Sequence, residues 1–285
     1  MKKRFKKYQA QTISNPLGLE IKKAKGSFIY SQNKKYLDFV AGVSVNNLGH
    51  SNSEINRAIT KQLDKYSHVM VYGEFVQEKS IELCELLSEL LPRKLNCTYL
   101  TNSGTEAIEA SLKLAKRITG RQKIVSMNNA YHGSTHGSLS VSGYEKRKRK
   151  YRPLLSNIFQ INFNSKNDLS IIDNDTACVI MEPIQGGAGF ISANNEYLKE
   201  IRKLCDIHNV ILIFDELQTG IGRTGKMFAF ENYKVVPDIL VIGKALGGGF
   251  PIGALISDRK LLSKFTSNPE LGHITTFGGH PVIAA

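Results

Sequence analysis

Residues Pro237–Gly253 read PDILVIGKALGGGFPIG, and the fold turns on them. Ile239, Leu240, Val241 and Ile242 are consecutive and apolar, which predicts a short strand over Asp238 to Gly243, buried on both faces. Lys244 follows at once, and Gly247 to Gly249 then bring backbone close to whatever the lysine faces. A lysine at the rim of an apolar strand is partly desolvated, which lowers its pKa and equips it as a nucleophile. Taken alone, a lysine that ends a strand and points to water explains the same letters.

Around this stretch, strand patterns alternate with helical ones. CTYLTN (97–102), KIVSMNN (123–129), TACVIMEP (176–183) and VILIFDE (210–216) read as strands. Ser103 to Gly120 reads as a helix with Ile108, Leu112 and Ala115 on one face, and Asn195 to His208 as another with Leu198, Ile201, Leu204 and Cys205 inward. That alternation predicts an α/β fold with a mostly parallel central sheet flanked by helices. Before it, Ser27 to Gly42 reads as a hairpin turning at Gln32-Asn33. Helices follow from Ser53, capped by Ser51 or Ser53, and over Val76 to Leu91, where Pro92 stops the run.

The net charge of +13 raises the question of nucleic acid, but the basic residues are scattered. Only MKKRFKK at the start and KRKRK (146–150) form clusters, and aromatics do not interleave with them as a stacking platform requires. No nucleic-acid partner is expected; the excess charge suits a lysine-rich surface or anionic substrates. Cys84, Cys97, Cys178 and Cys205 lie far apart, so reduced thiols in a cytoplasmic protein are expected. No apolar run reaches the length of a membrane span, and no metal-ligand spacing occurs.

In sheets of this kind ligands bind beyond the carboxyl ends of the strands. Those ends carry Ser103-Gly104-Thr105 opening a helix, then Tyr131-His132-Gly133, Glu182, Asp215 and Lys244. Ser103-Gly104-Thr105 suits a phosphate, through free N–H groups, two hydroxyls and the helix dipole, although a plain N-cap with Glu106 in the first turn accounts for it equally. Tyr131 can stack on a ring or pack in the core. His132 can serve as a base or as a structural group beside a turn glycine. Asp215 ends an apolar strand and needs a cationic or N–H partner, for which Arg223 is available. A phosphate cup, a stacking aromatic, a buried carboxylate and a desolvated lysine together specify pyridoxal phosphate. GIGRTGK (220–226) has P-loop spacing, but Met227 stands where a magnesium-binding hydroxyl belongs; SGTEA after the first strand fails the Rossmann fingerprint.

NSGTEA (102–107), YHG (131–133), MEPIQGGAG (181–189), LIFDELQTGIGRTGK (212–226), PDILVIGKALGGGFPIGA (237–254) and TTFGGHP (275–281) together resemble the class III pyridoxal-phosphate aminotransferases, which include acetylornithine, ornithine and 4-aminobutyrate aminotransferases. The resemblance implies a fold type I enzyme in which Lys244 forms the Schiff base and shuttles the proton. Asp215 would pair with the pyridine nitrogen, Gln218 approach the ring hydroxyl, and Ser103, Gly104 and Thr105 hold the phosphate. Tyr131 would stack on the ring, with His132 and Glu182 in the cofactor site. Thr276 matches a threonine that reaches the phosphate of a neighbouring subunit, so a homodimer is implied. An amino-acid or ω-amine donor would pass its amino group to a 2-oxo acid such as 2-oxoglutarate. An aminomutase on the same scaffold, or an inactive binding fragment, are the alternatives. Two positions depart from the acetylornithine and ornithine pattern: Ser134 replaces a carboxylate-gripping arginine and Gly187 a glutamate. The resemblance also implies that residues 1–50 belong to a small domain and 51–285 to the large cofactor-binding domain. The C-terminal half of that small domain would lie beyond Ala285, leaving apolar surface exposed and cofactor binding weak in this chain alone.

Overall fold

The computed structural model describes residues 1–285. Its centre is a seven-stranded sheet made of β4 (Cys97–Thr101), β5 (Lys123–Met127), β6 (Ile158–Ile161), β7 (Thr176–Met181), β10 (Ile211–Asp215), β11 (Ile239–Gly243) and β12 (Gly253–Ser257). The strand order is β4-β12-β11-β10-β7-β5-β6. Only β12 runs antiparallel, paired with β11 on one side and β4 on the other. β4 therefore points the same way as β11, and the carboxyl ends of β4, β5, β7, β10 and β11 lie along one edge.

Period-two alternation of uninterrupted apolar strands builds two cores, one on each face. Leu212, Phe214, Leu240 and Ile242 point to one face, with Leu198, Ile201 and Cys205 of helix Asn195–His208. Ile211, Ile213, Ile239 and Val241 point to the other, with Ile108, Leu112 and Ala115 of helix Gly104–Thr119. Both helices end where the backbone turns left-handed, at Gly120 and Asn209.

The sheet expected from the sequence is present, with two strands more. β6 is short, at four residues, and β12 (GALIS) offers glycine and alanine where a strand pattern needs bulk. A β-carbon at Gly253 would strike Ser103 O and Thr101 Oγ1, a requirement visible only in three dimensions. The N-terminal hairpin forms as β2 (Phe28–Ser31) and β3 (Lys34–Leu37), joined by β1 (Lys23–Lys25) in a separate three-stranded sheet. Phe39 and Val40, read as strand residues, are instead exposed beyond it. Helix Ser53–Leu63 is capped by Asn52, whose Oδ1 accepts from Glu54 N and Ile55 N, rather than by Ser51 or Ser53. The next helix begins at Glu78, two residues later than its apolar pattern suggests. A short hairpin, β8 (Ile184–Gln185) with β9 (Ile191–Ser192), follows β7. No helix is long and apolar enough to cross a membrane, and all four cysteines are free.

Candidate active site

Lys244 leaves β11 with φ at +46°, a left-handed conformation that a non-glycine residue adopts only at a cost of roughly 1–2 kcal/mol. The turn lifts its side chain out of the strand's alternation and onto the carboxyl edge. Lys244 is half-buried, and its ammonium belongs to none of the chain's ion pairs or side-chain hydrogen bonds. Asp215 is in register with Val241, so the carboxylate and the lysine emerge from adjacent parallel strands. Gly248 and Gly249, expected to crowd whatever Lys244 faces, lie against Ile55 and Asn46 instead. The glycine run thus seats the segment around 44–55 over the carboxyl edge. Gln218 Nε2 donates to Ser44 Oγ at 3.2 Å, and Asn47 Nδ2 donates to Ile221 O at 2.8 Å.

Asp215 is 3% exposed and needs a partner, as its position in the sequence requires. That partner is His132, not Arg223: Oδ2 accepts from His132 Nδ1 at 2.7 Å, and Oδ1 accepts from Leu217 N at 3.0 Å. Arg223 turns away to Asn47. A carboxylate only accepts, so the imidazole proton sits on Nδ1, and the buried Nε2 is left with no partner in the chain. The peptide N–H of His132 donates to Ser142 Oγ at 3.0 Å. His132 therefore acts here as the clamp on Asp215.

Glu182, 5% exposed, holds the neighbouring loop: its oxygens accept from Tyr131 N at 2.9 Å and Gly186 N at 3.1 Å. Burial pushes its carboxyl above the usual range, and Asp215 pushes the same way against the pull of His132. Tyr131 itself is 38% exposed and so stands at the rim rather than in the core. Ser103 is the N-cap of helix Gly104–Thr119, accepting from Glu106 N at 3.4 Å. The N–H groups of Gly104 and Thr105 find no acceptor within the chain. The close approach that Gly104 permits is that of Leu217, which would collide with any β-carbon there. Thr105 Oγ1 lies 2.8 Å from Thr135 Oγ1 and 2.7 Å from Ser138 Oγ, while Ser138 N donates to Glu109 Oε1 at 3.0 Å. Gly133, at φ +135°, backs onto this hydroxyl cluster so tightly that a β-carbon would strike Thr105 Oγ1. Thr276 is exposed and makes no side-chain bond, while its neighbour Thr275 accepts from Asn102 Nδ2 at 2.7 Å.

The family model described as aminotransferase class-III matches residues 8–285. The chain belongs to the class-III aminotransferases. It is 43% identical over 271 residues to an acetylornithine aminotransferase from Clostridium acetobutylicum, covering 92% of this chain and 68% of that relative. It is 42% identical to a LysW-aminoadipate semialdehyde/glutamate semialdehyde transaminase from Sulfolobus acidocaldarius, covering 94% and 68%. Among solved structures, a transaminase from the marine bacterium Virgibacillus superposes with a TM-score of 0.92 at 27% identity, over 99% of this chain and 70% of the other. Toxoplasma gondii ornithine aminotransferase, described with pyridoxal phosphate at its active site, gives 0.90 at 29%, over 98% and 67%.

The aminotransferase is thus a pyridoxal-phosphate enzyme of fold type I, and its residues fit that cofactor. Two unsatisfied N–H groups open a helix where a phosphate is favoured. A buried carboxylate is held in one orientation by His132, and a lysine without a carboxylate partner stands one strand away. GIGRTGK forms turns rather than opening a helix, as rejection of the P-loop requires. Two groups of the aminotransferase have no role assigned from the sequence. The Thr135, Ser138 and Glu109 cluster carries no strand-end signal. Glu216, 1% exposed, accepts from Ala229 N at 2.6 Å and Phe230 N at 2.7 Å, and burial raises its carboxyl to about 7. It ties the loop after β10 to the sheet edge.

Proposed function

We propose that this chain transfers the terminal amino group of an acetylornithine- or ornithine-type amino acid to a 2-oxo acid such as 2-oxoglutarate. The names of the related enzymes support the substrate class, and the unpaired, left-handed Lys244 beside clamped Asp215 carries the reading of the site. Lys244 is the catalytic residue: its amine anchors the cofactor and, once released, carries the proton removed from and returned to carbon. Pyridoxal phosphate, when bound, supplies an aldehyde carbon that accepts the amino group and a ring that delocalises the electron pair. Asp215 holds a proton on the ring nitrogen, and His132 fixes the carboxylate for that task. Ser103, Gly104 and Thr105 would hold the phosphate, Tyr131 would cover the ring, and Gln218 would approach its hydroxyl. Glu182 pins the peptide of Tyr131.

Residues 51–285 make the large cofactor-binding domain, and 1–50 part of a small one. Thr276 is exposed and makes no side-chain bond; by the family resemblance it would reach the phosphate of a second copy in a cytoplasmic homodimer. The test is a glutamate-formation assay with N-acetylornithine or ornithine and 2-oxoglutarate, on purified protein given pyridoxal phosphate. The wild type turns over at least one donor, and Lys244→Ala turns over neither while keeping its fold. Turnover of an ω-amine with no turnover of either amino acid would refute the substrate class. Undiminished activity in Lys244→Ala would refute the site.

A further inference from the structure

An amino acid and a 2-oxo acid both bring a carboxylate into the site, and a desolvated carboxylate needs a cation or several donors. Ser134, three residues beyond Tyr131 and 3.4 Å from its hydroxyl, offers no charge. Arg147 offers one. Its guanidinium carbon lies 5.6 Å from the centroid of the Tyr131 ring and 5.0 Å from that of Tyr144, both within the range of cation–π attraction. Two rings therefore hold it, and no carboxylate neutralises it. The nearest acid in sequence, Glu145, is taken by Arg152 at 3.1 Å, and Glu182 is occupied with peptide N–H groups.

Tyr144 supplies a second unmatched group. Its hydroxyl oxygen is buried and has no hydrogen-bond partner in the chain. It packs 2.9 Å from where a β-carbon at Gly187 would stand, so the tyrosine fills the space that a side chain there would claim. Burial, then the charge of Glu182, keeps this phenol protonated above its ordinary range, leaving it a donor at neutral pH. The segment carrying both residues is clamped. Lys148, 5% exposed, donates to Ser142 O at 2.8 Å and Ser140 O at 3.3 Å, and Ser142 Oγ in turn receives the peptide N–H of His132. A cation and a phenol on one braced loop thus stand beside the ring expected to cover the cofactor.

We propose that Arg147, with the Tyr144 hydroxyl as a second donor, binds the carboxylate of the amino-acid and 2-oxo-acid substrates in the place where Ser134 provides no charge. The assignment rests on the substrate reading above. It makes Arg147 a specificity-determining residue, whose loss weakens carboxylate binding without touching Lys244 or Asp215.

N-Acetylornithine and N-acetylputrescine differ by a carboxylate alone, so the pair isolates its contribution. In Arg147→Met the KM for N-acetylornithine is expected to rise about 10- to 100-fold, with kcat held within about threefold, the loss of one charge-assisted contact. The kcat/KM for N-acetylputrescine stays at its wild-type value, and Arg147→Lys recovers part of the loss. Glutarate, a dicarboxylate that cannot react, should bind the cofactor-loaded wild type in calorimetry and lose about the same factor in Arg147→Met. Wild-type glutarate affinity in the Met variant would overturn the assignment, as would an equal loss toward both amines. Arg147-dependent glutarate binding by an enzyme that turns over neither N-acetylornithine nor ornithine would leave the anion site standing and remove the substrate reading instead.

Discussion

His132→Phe is the sharpest perturbation of the site. Phenylalanine fills the volume of the imidazole but takes away the Nδ1–H that donates to Asp215 Oδ2 at 2.7 Å. Both side chains are essentially sealed from water, at 0% and 3% exposure. A hydrogen bond to a charged group contributes about 1.5–3 kcal/mol, and taking the donor from a buried carboxylate costs up to about 3–5 kcal/mol because the charge is left uncompensated. Two features reduce that figure. Leu217 N still donates to Oδ1, and the variant also deletes Nε2, a buried nitrogen with no partner. Relief of one unsatisfied acceptor returns about 1 kcal/mol. The net expectation is a loss of about 2–4 kcal/mol in unfolding free energy at neutral pH. The assay is urea unfolding of cofactor-free protein, repeated in an Asp215→Leu background to close a double-mutant cycle. With the carboxylate gone, His132→Phe should cost less by at least about 1 kcal/mol, and cofactor affinity should fall in the single variant even where the fold survives. A single-variant loss under about 1 kcal/mol with an additive cycle would refute the clamp.

Two further outcomes follow from the same geometry. Gly133→Ala places a β-carbon against Thr105 Oγ1 at a φ that favours glycine, so it should cost about 2–4 kcal/mol and weaken pyridoxal-phosphate binding; a wild-type dissociation constant would show that Thr105 does not set the phosphate cup. His280 and His68 stack with centroids 5.1 Å apart, and burial, then the charge of His68, lowers the pKa of His280. The neutral form is favoured in the fold, so this stability is complete above the unfolded histidine pKa of about 6.5 and is lost as pH falls below it. His68 is the titratable group that acts on His280, so His280→Phe should flatten the fall in urea midpoint between about pH 7 and about pH 5.5; an unchanged slope would assign the acid sensitivity elsewhere.

How much was legible depended on the range of the interaction. The strands ILVIG and ILIFD declare themselves because burial on both faces demands unbroken apolar runs, and the helices because one face repeats every three to four residues. Lys244, Asp215, Tyr131 and Ser103 to Thr105 could be placed on one edge because a parallel sheet gathers its strand ends there, so position along the chain is enough. β12 was missed, since GALIS owes its strand to β4 and β11 on either side. The partner of Asp215 was also missed, for Arg223 and His132 are equally plausible until the chain is folded. His132 wins because the loop after β5 is pinned by Glu182 and Ser142, 83 residues before the carboxylate it serves.

The sequence by itself determined the fold class, the family and the sheet edge that gathers the candidate site residues, because these follow from local periodicity and from residues adjacent to strand ends. Only the tertiary structure decided which groups hold Asp215, how Thr105 is tied to Thr135 and Ser138, and that Arg147 stands between Tyr131 and Tyr144 without a counter-ion. Those arrangements rest on directional contacts of a few ångströms between segments distant in the chain, and no spacing along the chain encodes them.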